Sequence, residues 1–164
     1  MRHGIATERS ENAPDADQAR PLTRQGADRT RKAVLGLAVL KVAPQLIMTS
    51  PYARARQTAE LVAEGLGVSR RRVAISEALL PDADPRLLFQ ALRELKEAQV
   101  LCTGHAPHLD RALGLALGAS RSFVAQLKKA GAASLELVRF VPPRGRLVWL
   151  LEPAALRRLG RSSH

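Results

Sequence analysis

The sequence predicts a three-layer α/β/α sandwich with a mostly parallel sheet and an antiparallel strand pair near its C-terminal end. Two observations carry this. Short apolar runs alternate along most of the chain with longer stretches of helical periodicity, the order that builds parallel strands joined by crossover helices. Further on, "ASLELVRF" and "RLVWLLE" flank the turn "VPPRG" with no helix between them, which reads as a hairpin.

Each element has a local cause. In "PLTRQGADRTRKAVLGLAVL" the positions Ala27, Val34, Leu37 and Leu40 recur near helical spacing, with Thr23 available as the cap. "PQLIMTS" is a short apolar run ended by Ser50-Pro51, a buried strand entering a loop. "YARARQTAELVAEGLG" places Ala55, Ala59, Val62, Ala63 and Leu66 along one helical face, and Gly67 stops it. "RVAIS" is a second short strand. "DADPRLLFQALRELKEA" carries Asp84 at a cap position and Pro85 at the first helical position, so it predicts a helix. "QVLCTGH" is a third strand running into a glycine turn, and the helix "PHLDRALGLALG" follows.

At 164 residues the chain suits one domain, placed at residues 1–152, with 153–164 as a C-terminal tail that is a short helix or a frayed end. The single cysteine, Cys102, cannot form an internal disulfide, no apolar run approaches the roughly 20 residues of a membrane span, and no secretory signal opens the chain. A cytoplasmic protein without a membrane partner is the expectation. The net charge of +11 raises the question of nucleic acid, but the basic residues are spread over nearly every segment, "SRRRV" from Ser69 to Val73 being the densest run, and aromatic residues for base stacking are few. No nucleic-acid partner is expected.

In parallel α/β sheets, binding residues collect in the loops beyond the carboxyl ends of the strands. Ser50 to Arg54 follow the strand at Leu46–Thr49, and Gly104 and His105 follow the strand at Val100–Thr103. Arg2-His3-Gly4 would follow a strand of which only Met1 lies in the sequence, so the first strand reads as truncated. Two histidines and two arginines therefore converge on one sheet edge. An imidazole whose attacking nitrogen is unprotonated can attack phosphorus, and guanidinium forks bind phosphate oxygens in two-point fashion. These are the parts of phosphoryl transfer. A rival chemistry is the C-x-x-H-x-x-H run of Cys102, His105 and His108, all zinc-ligand types, but Cys102 falls inside a buried strand and no fourth ligand is evident, so no metal is expected.

"RHG" at the chain start, "ARPLTRQG" opening the first helix, "TSPYARARQTAE" after the next strand and "GHAPHL" after a later one resemble the histidine phosphatase superfamily, whose fold is phosphoglycerate mutase-like, and more narrowly its SixA-type phosphohistidine phosphatase branch. "ALLPDADP" and "LKKAGAASLELV" are similar to that branch too. The resemblance implies a phosphatase that hydrolyses phosphohistidine through a covalent phosphohistidine intermediate. His3 would be the nucleophile, Arg2, Arg54 and His105 the phosphate pocket, and Gly4 the residue that lets the backbone come close. Ser50 either reaches phosphate or opens the next helix. Arg20 and Thr23 match the family's "RPLT", although capping of the first helix explains them as well.

The same resemblance implies no cofactor, and a phosphorylated protein or a small phosphorylated substrate as partner; it leaves the oligomeric state open. Ala106 and His108 stand where many relatives carry asparagine and glycine, so the pocket rim should differ. Relatives that cleave esters supply a carboxylic acid from the region after a strand that corresponds here to "ISEALLPDADP". Asp84 reads as a helix cap and Asp82 as a loop charge, which leaves Glu77 as the candidate general acid. The alternatives are a broad-specificity phosphomonoesterase of the same superfamily and a non-catalytic phosphoprotein-binding module.

Overall fold

The computed structural model describes residues 1–8, 17–119 and 124–161. Helix α1 spans Arg24–Val39 and is capped by Thr23, whose side chain accepts from the Gly26 amide at 2.9 Å. Then come β1 (Leu46–Thr49), α2 (Ala53–Gly65), β2 (Val73–Ile75), α3 (Pro85–Arg93), β3 (Val100–Thr103) and α4 (His108–Ala116). Asp84 caps α3 by accepting from the Arg86 amide at 2.9 Å, with Pro85 at the first helical position. That is the arrangement the sequence predicts, since proline lacks the amide that a first-turn residue would leave unpaired.

The strands β2, β1 and β3 pair in that order, all parallel. Alternation along β1 separates two cores: fully buried Ile47 joins the cluster of α1, α2 and Leu156, while Met48 joins the one holding Leu88, Phe89, Leu109 and Leu113 of α3 and α4. Helices α1 and α2 thus cover one face and α3 and α4 the other, the three-layer α/β/α architecture expected. The hairpin is β4 (Ala132–Phe140) and β5 (Pro143–Leu151), antiparallel, its tip only Val141 and Pro142, with register shifts at Ser134/Leu135 and Leu137/Arg139.

Residues 1–3 fill the slot between β3 and the hairpin. Gly104 N–H donates to the Met1 carbonyl at 3.2 Å and His3 N–H to the Gly104 carbonyl at 2.9 Å; on the other side Arg2 N–H donates to Gly131 O at 3.0 Å. An isolated parallel bridge joins Arg2 to Gly104. His3 is therefore held on both flanks by sheet-like hydrogen bonds.

The residues set apart as a tail differ from a frayed end. Helix α5 (Pro153–Arg161) packs on α1, with Leu156 fully buried among Ala33, Val34 and Leu37. Gly36 makes the close crossing possible, because a Cβ there would run into the Leu156 carbonyl. The helix belongs to the first core layer; residues 162–164 lie outside the described part. Among the described residues no helix is long and apolar enough to cross a membrane.

Candidate active site

A cavity of about 440 Å³ opens where the N-terminal segment, β1 and β3 end, and His3, His105, Arg2 and Arg54 all line it. The parallel sheet explains the convergence, because its strands deliver their following loops to one edge. Four residues expected at the site from the sequence are thus brought together.

His3 is buried, and its Nδ1 lies 2.7 Å from the Gly4 carbonyl. A carbonyl can only accept, so Nδ1 carries the proton and Nε2 keeps its lone pair. Burial pushes the His3 pKa down to about 4; the Gly4 hydrogen bond works against this, while the positive charges of Arg54, Arg2 and Lys129 add to it. The ring is neutral at neutral pH and faces a cationic pocket. Gly4 lets the backbone behind His3 pack closely on α1: a Cβ at that position would strike Thr30 Oγ1, and its amide donates to Thr58 Oγ1 at 3.1 Å.

The His105 ring sits 5.1 Å from that of His3, centroid to centroid, and 5.1 Å from Tyr52 in an edge contact. Burial, helped by the His3 and Arg54 charges, lowers its pKa to about 3. Its Nε2 meets Ser50 Oγ at 2.8 Å and its Nδ1 has no protein partner. Ser50 is thus placed behind His105 and is not among the residues lining the cavity. It does not open α2, whose N-cap is Tyr52.

Arg54 is 96% buried and stacks 4.8 Å over Tyr52 after the first turn of α2 begins. Its Nη1 donates to the Asp17 carbonyl at 2.7 Å and its Nη2 to the Asp17 carboxylate at 3.0 Å. The other carboxylate oxygen of Asp17 pairs with Arg20 at 2.8 Å. Arg2 donates from Nη1 to the Leu127 carbonyl at 2.8 Å, and buried Asp110 accepts from the Leu127 amide at 2.8 Å, so Asp110 anchors the residue whose carbonyl aims Arg2. The Nε atoms of Arg2 and Arg54 are buried without a hydrogen-bond partner. Buried guanidinium nitrogens left unpaired favour an anionic ligand.

The structure corrects the assignment of Glu77. That residue opens a 3-10 turn, Glu77–Leu79, with an exposed side chain, and it is Pro81 further along that reaches the cavity. Among the described residues the carboxylate lining the cavity is Glu8, which the sequence reading missed, as it missed Asp17, Asp110 and Lys129. Arg20 lines the cavity as well as pairing with Asp17, which goes beyond helix capping. Cys102 is half-buried, with desolvation pushing its thiol up to about 11, His108 is buried outside the cavity, and among the described residues no three His, Cys, Asp or Glu side chains gather to hold a metal.

Comparison with known proteins fits this geometry. A model described as histidine phosphatase superfamily (branch 1) matches residues 1–79. An uncharacterised protein of Picosynechococcus sp. is 35% identical over 140 residues, 82% of this chain and 81% of the relative. The phosphohistidine phosphatase SixA of Escherichia coli (strain K12) is 37% identical over 112 residues, 65% of each chain. The solved structure of the protein histidine phosphatase SixA complexed with tungstate has a TM-score of 0.81 at 27% identity, covering 95% of this chain and 96% of that one. A phosphoserine phosphatase from Entamoeba histolytica, in complex with 3-phosphoglyceric acid, shares the fold at TM-score 0.64 and 14% identity, covering 94% and 96%.

Proposed function

Because the chain belongs to the histidine phosphatase superfamily, we propose that it hydrolyses phosphohistidine on a cytoplasmic phosphoprotein through a phosphorylated His3. The observation that carries this reading is the 2.7 Å contact of His3 Nδ1 with the Gly4 carbonyl, which leaves Nε2 free as a nucleophile beside two arginines and a neutral histidine. In the first step the Nε2 lone pair forms a bond to phosphorus while the bond from phosphorus to the substrate ring breaks and its electrons go to that ring nitrogen; the substrate enters with its other ring nitrogen protonated and so leaves as neutral imidazole. In the second, water attacks the phosphorus of phospho-His3, the N–P electrons return to Nε2, and dihydrogen phosphate departs. Arg2, Arg54 and His105 hold the oxygens in both steps, and little rearrangement is needed because the charges are already in place.

The leaving group favours phosphohistidine over an ester. Imidazole has a conjugate acid of pKa about 6.5 and departs unaided, whereas an alkoxide profits from a positioned acid. Glu77 is exposed and is not among the residues lining the cavity, and Asp17 has each carboxylate oxygen held by an arginine. The similarity to SixA of E. coli supports the same choice. Glu8 at the cavity favours a second, slower reading, hydrolysis of phosphate monoesters with Glu8 as proton donor. The deciding experiment is phosphoenzyme trapping. Wild type mixed with a labelled phosphohistidine protein should retain an acid-labile label, and His3→Ala should retain none and turn over nothing while melting like wild type. Undiminished turnover by His3→Ala overturns the mechanism.

A further inference from the structure

Beside the catalytic cavity lies a second depression of about 520 Å³, and the two share Arg2 and Lys129 in their walls. Arg29 from α1 and Arg157 from α5 complete its cationic rim. Among the described residues, Arg29, Lys129 and Arg157 have no ion-pair partner, whereas Lys128 on the same rim is paired with Glu152 at 2.7 Å. Among the described residues no carboxylate lines the groove, and Ile5, Ala130 and Pro153 give it an apolar floor.

Unpaired cations gathered from three separate segments repel one another, and an anionic ligand relieves that repulsion. The groove joins the place where the phosphoryl group is bound, so whatever carries that group and continues past it runs along this rim. A nucleic acid would want aromatic stacking surfaces, and none of the described residues lining the groove is aromatic. A peptide with acidic side chains for the rim and small apolar ones for the floor matches both features. We infer that the groove docks an acidic segment of the phosphoprotein substrate adjoining its phosphohistidine. The inference rests on the phosphohistidine reading above and adds the charge class of the substrate to it.

The test uses the full chain and two phosphohistidine peptides, one flanked by glutamate and one by glutamine, together with free phosphohistidine. Wild type should show a kcat/KM roughly tenfold or more higher for the glutamate peptide, as expected when steering and complementarity add to a common chemical step. The preference should shrink at 1 M salt, where the Debye length is about 3 Å. Arg29→Glu with Arg157→Glu should abolish the preference, mainly through KM, and leave free phosphohistidine turnover unchanged, which also shows that the variant is folded. Fluorescence anisotropy of the unphosphorylated glutamate peptide should show the same loss of binding without any turnover. Equal rates for the two peptides, or a preference that survives the double reversal, overturns the docking site even if hydrolysis proceeds. Anisotropy that responds to the reversal while no phosphohistidine is hydrolysed keeps the site and removes the catalytic reading.

Discussion

Ser50 Oγ meets His105 Nε2 at 2.8 Å, inside a shell that is closed to solvent around both residues. The serine hydroxyl accepts from the Tyr52 amide at 3.4 Å and keeps its own proton to donate to Nε2. With the hydroxyl as donor, a neutral His105 carries its proton on Nδ1, the nitrogen that has no protein partner. Ser50 is a positioning residue: it selects the tautomer that can donate to a phosphoryl oxygen. Ser50→Ala should lower kcat/KM by roughly 10–100-fold, the usual cost of losing a partner that orients a functional histidine. Ser50→Thr, which keeps the hydroxyl, should recover most of it. Steady-state kinetics on both variants checks this, and a silent Ser50→Ala would show that the tautomer is fixed otherwise.

The pocket histidines also make stability depend on pH. In the unfolded chain both titrate near 6.5, but in the fold burial holds His3 at about 4 and His105 at about 3. Between those limits the unfolded state binds more protons, so stability falls as pH is lowered. Their contribution is complete above about pH 7 and erodes from 6.5 down through about 3, the lower of the two folded values. Urea unfolding from pH 7 to 4 should show the decline, and His105→Phe should flatten it. Ring-proton NMR should place both titrations below pH 5, and inorganic phosphate should raise them, because a bound dianion favours the imidazolium forms.

What the sequence made legible at the site follows from where each residue sits on the chain. His3, Arg54 and His105 adjoin the ends of strands, and a parallel sheet delivers such positions to one edge whatever the loops do. Asp17, Asp110 and Lys129 act across long separations: Asp17 reaches Arg54 and Asp110 reaches Arg2 by way of Leu127, and no local spacing announces such pairs. Glu77 misled because β2 is the outer strand of the order β2-β1-β3, so its following turn starts away from the site, and Leu79 rather than Glu77 turns inward. The docking of helix α5 is not legible locally, because its fit depends on Gly36 in another element admitting the Leu156 backbone.

Arg54 and Asp17 form one device. The carboxylate and carbonyl of Asp17 hold the guanidinium by two of its nitrogens, leaving Nε and the face stacked away from Tyr52 to the ligand. Arg54→Ala should cost about 2–4 kcal/mol of transition-state stabilisation, comparable to other lost preorganised donors. Arg54→Lys should recover only part of it, because an ammonium has no planar fork. Asp17→Asn should act mainly on KM, since the arginine charge remains but its orientation loosens. A lysine variant with wild-type kcat/KM would count against two-point binding.

The last expectation separates the two carboxylates and the two substrate classes. Glu8 lines the cavity, and Glu77 lies exposed outside it. An ester's leaving alkoxide is a far stronger base than imidazole, so a proton donor at the cavity matters for esters and hardly at all for phosphohistidine. Glu8→Gln should therefore reduce hydrolysis of an alkyl phosphate by roughly 10²-fold or more, the low end of general-acid contributions, and change phosphohistidine turnover little. An aryl phosphate with a good leaving group should fall between the two, because its departure needs less protonation. Glu77→Gln should leave all three rates unchanged. Wild type should also hydrolyse phosphohistidine much faster than the alkyl phosphate. Comparable rates for both, with Glu8 needed for each, would make phosphate monoesters the natural substrates and demand an acid in the first step of every turnover.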